Sequence, residues 1–187
     1  MMPKLNSKTV FVIIEGHPKR PILPVLYDLE SQPHWRYLFA DTEWGPYQSE
    51  SPLLIQTDAG SPFLQRVMDD MQSPNGWLGL ILESTEDFDT VLSWAQQRLT
   101  VALAPPRTGL LRYYDPLIWH ALCTAGGRIG ETIQHGHYWL DDGDAGCWHT
   151  SAKPEPVAEP ATSGLSPEQY QALASLASRT NSGQVTS

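Results

Sequence analysis

Two cysteines, Cys123 and Cys147, in a chain of 187 residues are too few for the disulfide framework that holds small secreted domains together, so both are expected as reduced thiols. Basic residues are scarce as well: 12 Lys and Arg stand against 21 Asp and Glu, a formal net charge of −9, and no basic run occurs. Nucleic acids and anionic membranes are bound by clustered cations that displace counterions, so neither is expected as a partner. Long apolar runs are missing too. The longest, Val10 to Ile14 and Trp77 to Leu82, fall far below the ~20 residues of a membrane-spanning helix. The opening MMPKLNSK carries no apolar signal-peptide region, and the expectation is a soluble, cytoplasmic protein.

Recognised catalytic signatures are likewise absent. No Gly-x-Ser-x-Gly elbow, phosphate-cradling glycine loop or dinucleotide fingerprint occurs. Gly126-Gly127-Arg128-Ile129-Gly130 follows a helical stretch where phosphate binding needs a loop that opens one. No cofactor is expected.

What the chain has in excess is proline, 16 residues against a usual share of ~5%, and tryptophan, with seven copies, while charged residues make up only 18% against ~25%. Such a composition describes a loop-rich globule that presents aromatic surface, because Trp and Tyr are favoured at partner-binding faces. The length fits about one domain with additions.

Hydrophobic periodicity predicts a mixed α/β (α+β) fold, a central sheet flanked by helices, with a C-terminal linker and short helix. Thr9 to Ile14 reads as a strand buried on both faces and therefore central. Ile22, Val25, Leu26 and Leu29 then form a helical stripe. Trp35 to Ala40, Pro52 to Gln56 and Trp77 to Leu82 are further strands. Ser61-Pro62 opens a helix through Met71 as N-cap and N1, and Ser84 or Thr85 is expected to cap the helix carrying Phe88, Val91, Leu92, Ala95 and Leu99. Thr100 to Ala104 and Gly109 to Tyr114 are strand-like around Pro105 and Pro106, a hairpin or an irregular loop. Asp115-Pro116 caps a helix ending at Gly126-Gly127, and Gln134 to His149 reads as a hairpin turning at Asp141, Asp142, Gly143 and Asp144.

The expected organisation is one folded domain over residues 1–150, a Pro-spaced flexible linker over 151–164, a docking helix over 165–180 and a disordered tail over 181–187. Ser166, Pro167 and Gln169 form a capping box at the start of that helix. An isolated helix of this length is marginal in water, so it must dock on its own domain or on a partner.

Three clusters could carry chemistry. His135-x-His137 and Cys147-x-His149 place four zinc-type ligands on two paired strands, where alternate residues share a face, and a small metal-dependent hydrolase could use them. The competing reading is half-exposed strand histidines beside a small cysteine. Asp141, Asp142 and Asp144 resemble the start of a calcium loop but lack its closing carboxylate, which leaves a solvated turn. Glu15, Gly16 and His17, near Asp28, Glu30 and His34, follow the first strand, yet no spacing forces them to converge.

The densest motif is Leu111-Arg112-Tyr113-Tyr114-Asp115-Pro116: an aromatic pair, a capping Asp and an N1 proline, with Arg112 able to pair with a carboxylate. Together with the opening strand and helix, Trp35 to Phe39, Ser51 to Ile55, Ser61-Pro62-Phe63-Leu64, Trp77 to Leu80 and the late Leu165-Ser166-Pro167-Glu168-Gln169, this segment resembles the Tap/TEC effector chaperones, or adaptors, of bacterial type VI secretion. The resemblance covers most of residues 9–123, and the region after Cys123 departs from it. It implies a non-enzymatic protein that binds a secretion effector and loads it onto the VgrG spike. The family motif falls on Arg112, Tyr113, Tyr114, Asp115 and Pro116, with Arg112 and Asp115 expected to organise it. Tyr113 and Tyr114, on one strand, are expected to point to opposite faces, one in the core and one accessible. Trp44, Tyr47, Trp119, Trp139 and Trp148, in loops or at element ends, are the candidate partner-binding aromatics. An immunity-type protein that blocks a toxin is the third reading.

Overall fold

The apolar run near the start of the chain becomes strand β1 (Thr9–Glu15), with Val10 to Ile14 all buried. The computed structural model describes residues 2–16, 20–102, 107–141, 145–157 and 165–182, the last four by backbone alone. After β1 come helix α1 (Ile22–Leu29), strand β2 (His34–Tyr37), a 3-10 helix (Gly45–Glu50), strand β3 (Leu53–Asp58), helix α2 (Pro62–Met71), strand β4 (Leu78–Glu83) and helix α3 (Phe88–Gln97). The short strands β5 (Thr100–Ala102) and β6 (Thr108–Leu110) precede helix α4 (Pro116–Thr124). The chain then forms β7 (Arg128–Ile129), β8 (His135–Leu140), β9 (Cys147–Ala152), β10 (Pro154–Glu155) and helix α5 (Pro167–Ser182).

Six strands make one sheet in the order β2-β3-β1-β4-β8-β9, and every neighbouring pair is antiparallel. β1 lies inside this sheet with helices over both faces, which is why its apolar residues need not alternate with polar ones. Val10, Val12 and Ile14 face α1 and α2 through Ile22, Leu26, Phe63, Leu64 and Val67. Phe11 and Ile13 face the other way, towards Phe88, Val91 and Trp94 of α3 and Trp119 and Leu122 of α4. The fold is thus a mixed α/β sandwich with a central sheet, as the periodicity predicts. Of the two alternatives for the segment around Pro105 and Pro106, strand pairing is found: β5 and β6 pair in a sheet of their own, ending at Ala102 and Leu110, short of the expected Ala104 and Tyr114, and β8 and β9 pair as the expected hairpin.

Local chemistry fixes most helix starts. Ser61 Oγ accepts from Leu64 N at 3.0 Å, with Pro62 in the first turn. α3 differs from the expectation: Asp87, not Ser84 or Thr85, is its N-cap, its carboxylate accepting from Thr90 N at 2.8 Å. Ser84 is occupied elsewhere, donating to the Thr132 carbonyl at 2.6 Å. β2 stops at Tyr37: Leu38 still donates to the Pro52 carbonyl, but Pro52 has no N–H to return, and the chain turns, with Ala40 N donating to the Tyr37 carbonyl, through Asp41 at φ 58°.

The expected linker is corrected over its first half. Ser151 and Ala152 belong to β9, Pro154 and Glu155 form β10 against β7, and Val157 is buried in the α3/α4 core. Pro154 is tolerated because β10 is an edge strand, where a missing N–H leaves no ladder bond unmade. The folded domain therefore runs past residue 150 to Val157, and residues 158–164 lie outside the described residues.

α5 docks on its own domain. Gln169 is buried, donating to the carbonyls of Pro156 at 2.6 Å and Leu122 at 3.3 Å, while Leu165 and Leu173 pack on the core. Its capping box forms as read: Gln169 N donates to Ser166 Oγ and Ser166 N to Gln169 Oε1. α5 extends through Ser182, so Asn181 and Ser182, expected in a disordered tail, are helical, and 183–187 lie outside the described residues.

Candidate partner-binding cleft

The end of β1, the start of β4 and the end of β8 meet at one end of the sheet. A cleft of about 790 Å³ opens there. Met71 and Trp77 line one wall, Leu78 and Gly79 the floor, Trp139, Leu140 and Asp141 the β8 side, and Glu15, Arg112, Asp115 and Leu117 the opposite rim. Local folding positions each wall. Trp77 is pinned at the turn after α2 because Asp70 accepts its backbone N–H at 2.9 Å and its indole N–H donates to the Arg20 carbonyl at 2.8 Å. Gly79 is obligatory, since a Cβ would lie 2.1 Å from the Ile13 carbonyl oxygen. Leu78 and Leu117 remain 48% and 54% exposed, apolar surface at the cleft wall.

The Arg112 to Pro116 segment builds the rim. Arg112 forms an ion pair with Glu15, and its guanidinium lies 5.9 Å from the Tyr114 ring centroid. Burial works to lower the Arg112 pKa, but Glu15 and Tyr114 outweigh it and hold the group above its ordinary value. Asp115 caps α4, its Oδ1 accepting from Leu117 N at 2.9 Å and Ile118 N at 3.4 Å, with Pro116 as N1. Replacing Asp115 with alanine is expected to cost about 1 kcal/mol, and with asparagine a small fraction of that, read from urea midpoints.

The expected division of the two tyrosines is corrected. β6 ends at Leu110, so Tyr113 and Tyr114 sit in a turn where strand alternation does not apply, and both are buried. Tyr113 donates to the Ala95 carbonyl at 2.9 Å and packs edge-on against Trp94. Burial pushes the Tyr114 hydroxyl up to about 12 and that of Tyr113 higher still.

The five aromatic candidates divide. Trp119 is wholly buried against Trp94 and Tyr113 and abuts Gly136, where a Cβ would come within 2.8 Å; it belongs to the core and has no ring surface to offer a partner. Trp44 is half-buried, its indole N–H donating to Thr100 at 2.9 Å, and Tyr47 beside it is exposed. Trp139 and Trp148 lie opposite each other on β8 and β9 in an edge-on pair, and Trp139 reaches the cleft.

The four-ligand zinc arrangement does not form. In the β8–β9 register His135 faces Ala152 and His137 faces Thr150, whereas Cys147 faces Leu140 and His149 faces Tyr138. Opposed residues share a face and successive ones alternate, so the two pairs point to opposite sides of the sheet. Among the described residues no group of three or more His, Cys, Asp or Glu could hold a metal ion. The hydrolase reading loses its ligand set. Instead, His149 stacks on Tyr138 with Cys147 Sγ 3.0 Å from its Nε2, and His137 Nε2 bonds the buried Glu83 at 2.9 Å while His137 Nδ1 meets Thr150 Oγ1 at 2.9 Å.

The cluster near the first strand also disperses: Glu30 accepts from Thr57 and His34 bonds Gln56, while Glu15 and Gly16 join the cleft. His17, Asp142 and Asp144 lie outside the described residues. Sequence reasoning missed Leu78, Leu117 and Glu83. A lone leucine in a helix's first turn is no signal, and Glu83 is separated from its His137 partner by 54 positions.

Residues 10–128 match the family model of the domain of unknown function DUF4123, and the chain belongs to that family. No curated protein and no solved structure matches the chain significantly. Among the described residues no helix is long and apolar enough to cross a membrane.

Proposed function

We propose that this member of the DUF4123 family is a non-enzymatic adaptor that binds a type VI secretion effector in the cytoplasm and promotes its loading onto the VgrG spike. One observation carries the reading: the segment on which the resemblance to effector chaperones rests, Arg112 to Pro116, forms the rim of a cleft whose walls expose Leu78, Leu117 and part of Trp139. Within that segment the polar side chains serve rigidity. Arg112 is tied to Glu15, Tyr113 to Ala95 and Asp115 to the start of α4, so the rim is held in one shape before any partner arrives. Preorganisation of this kind reduces the entropy lost on association.

The acidic charge of −9 suits steering of a basic partner surface, with affinity supplied by apolar anchors at the centre. Affinity purification of the tagged chain from actively secreting cells tests this reading. The expected result is co-purification of one effector together with VgrG, and recovery of neither contradicts it.

A further inference from the structure

β2 is an outer strand of the six-stranded sheet, paired with β3 and, among the described residues, with no strand on its other side. The Leu38 N–H donates to the Pro52 carbonyl at 2.9 Å, which fixes the alternation along the strand. Leu38, Arg36 and His34 turn their backbone groups to β3, and Trp35 and Tyr37 turn theirs outward. The Tyr37 carbonyl is engaged by Ala40 N at 3.2 Å, so the open groups are the N–H and C=O of Trp35 and the N–H of Tyr37. Pro33, without an N–H, closes this row at one end, and the turn to Ala40 closes it at the other. A free strand edge is a template for another strand, and this one has room for a short strand only.

We propose that the β2 edge at residues 35–37 receives a short extended segment of a protein partner that carries an acidic residue between two apolar ones. The side chains beside the edge argue for that occupant. In an antiparallel addition, the arrangement of every neighbouring pair in this sheet, opposed residues share a face. Trp35 and Tyr37 lie on the α1/α2 face, half-buried, in an edge-on pair with ring centroids 5.2 Å apart. Tyr27 of α1, 58% exposed, accepts from the Trp35 indole N–H at 3.1 Å and extends this aromatic wall. Residues opposite Trp35 and Tyr37 meet that wall, which favours β-branched or aromatic side chains. Arg36 points to the other face. Its neighbour His34 is already engaged, stacked on Phe88 at 4.0 Å and bonded to Gln56 at 3.1 Å, whereas the exposed Arg36 forms no ion pair with any described residue. An unpaired guanidinium opposite the central residue of the incoming strand favours Asp or Glu there and disfavours Lys or Arg. The inference goes beyond the adaptor reading and does not require that the partner be a secretion effector.

End-capped nonapeptides with a central valine-glutamate-valine between serine and threonine residues, titrated against the full chain at physiological salt, test it. The glutamate peptide is expected to bind saturably, with hydrogen exchange at the Trp35 and Tyr37 amides slowed at least fivefold. Its lysine analogue should bind at least tenfold more weakly. N-methylation of both valines, which removes the backbone donors facing the edge and keeps charge and side chains, should also weaken binding at least tenfold. Arg36→Glu, on an exposed edge position, should invert the preference, the lysine peptide then binding at least tenfold more tightly than the glutamate peptide. The absence of binding by the glutamate peptide would overturn the proposal, as would indifference to N-methylation or an unchanged preference in Arg36→Glu. Slowed exchange at Trp148 and Thr150 of the opposite outer strand β9, in place of Trp35 and Tyr37, would overturn it as well. So would slowing at Trp35 and Tyr37 that grows with protein concentration without peptide, which would assign the edge to a second copy of this chain. None of these results depends on secretion, so a failure here leaves the adaptor reading to its own test.

Discussion

Replacing Glu83 with alanine is expected to destabilise the folded chain by about 3 kcal/mol, measured as a fall in the urea midpoint at pH 7. Glu83 is completely buried, yet its carboxylate is well supplied. It accepts from the backbone N–H groups of Asn6 and Ser7 at 2.6 Å each and from His137 Nε2 at 2.9 Å, with His135 Nδ1 at 3.4 Å. Alanine would leave the buried His137 beside a cavity with no acceptor and release the part-buried backbone N–H groups of Asn6 and Ser7, which costs more than the bonds themselves contribute. It would also free the N-terminal residues that these bonds fasten to the sheet, so faster proteolysis near Asn6 should accompany the loss. Glu83→Gln keeps one acceptor oxygen and the shape, and should cost roughly half as much.

The same network sets the pH dependence. Burial acts to raise the Glu83 pKa, but the bonds from His137, Ser7 and Asn6 outweigh it and hold the carboxyl below its ordinary value. Its contribution is therefore complete above the unfolded value of ~4.3 and is lost as pH falls through the lower folded value. His137 is also held below its ordinary value, chiefly by burial, against the opposing pull of Glu83. Because the unfolded chain takes up that proton first, stability begins to fall below the unfolded value of ~6.5. Both groups act in one direction. Acidification from pH 7 should destabilise the protein, His137 acting first and Glu83 below it, and Glu83→Ala should flatten the lower part of the curve. A wild-type stability that rises between pH 6.5 and pH 4 contradicts this assignment.

Arg98→Ala is the second large loss, about 3 to 4 kcal/mol. The side chain is only 4% exposed, it forms an ion pair with Glu155, donates to the Trp94 carbonyl, and lies 4.4 Å from the Trp94 ring centroid. Removing it strands a largely buried carboxylate, whereas removing both partners strands neither. The double substitution Arg98→Ala with Glu155→Ala should thus cost clearly less than the sum of the singles, and an additive cycle would contradict the pairing. Glue between α3 and β10 also supports the C-terminal helix, since Gln169 of α5 bonds the Pro156 carbonyl. Arg98→Ala should therefore speed proteolysis after residue 157 before global unfolding is detectable.

Which features the sequence made legible follows from how local their causes are. Ser61, Asp115 and Ser166 were readable as caps because the acceptor and its N–H lie within three residues. The second hairpin followed from turn composition. The antiparallel pairing of β1 with both β3 and β4 was not readable, since it depends on partners 39 or more positions away. Faces were harder still: with a side-chain period of two, one residue of register decides whether His137 and Cys147 share a side, and the hairpin loop puts them on opposite sides. Pro154 and Pro156 read as a mobile spacer because composition cannot show that Glu155 between them is held by the buried Arg98. As for the cleft, its rim was visible as the Arg112 to Pro116 motif, while its floor at Leu78 and Gly79 exists only because β4 and β8 diverge.

The central claim is that the chain delivers an effector, and the most direct measurement is the amount of effector secreted by cells in which its gene has been deleted. The account predicts that export of one effector is lost, that the cells do not poison themselves, and that the intact gene restores export. Unchanged export would contradict it, and self-killing on deletion would show that the protein restrains a toxin instead of delivering one.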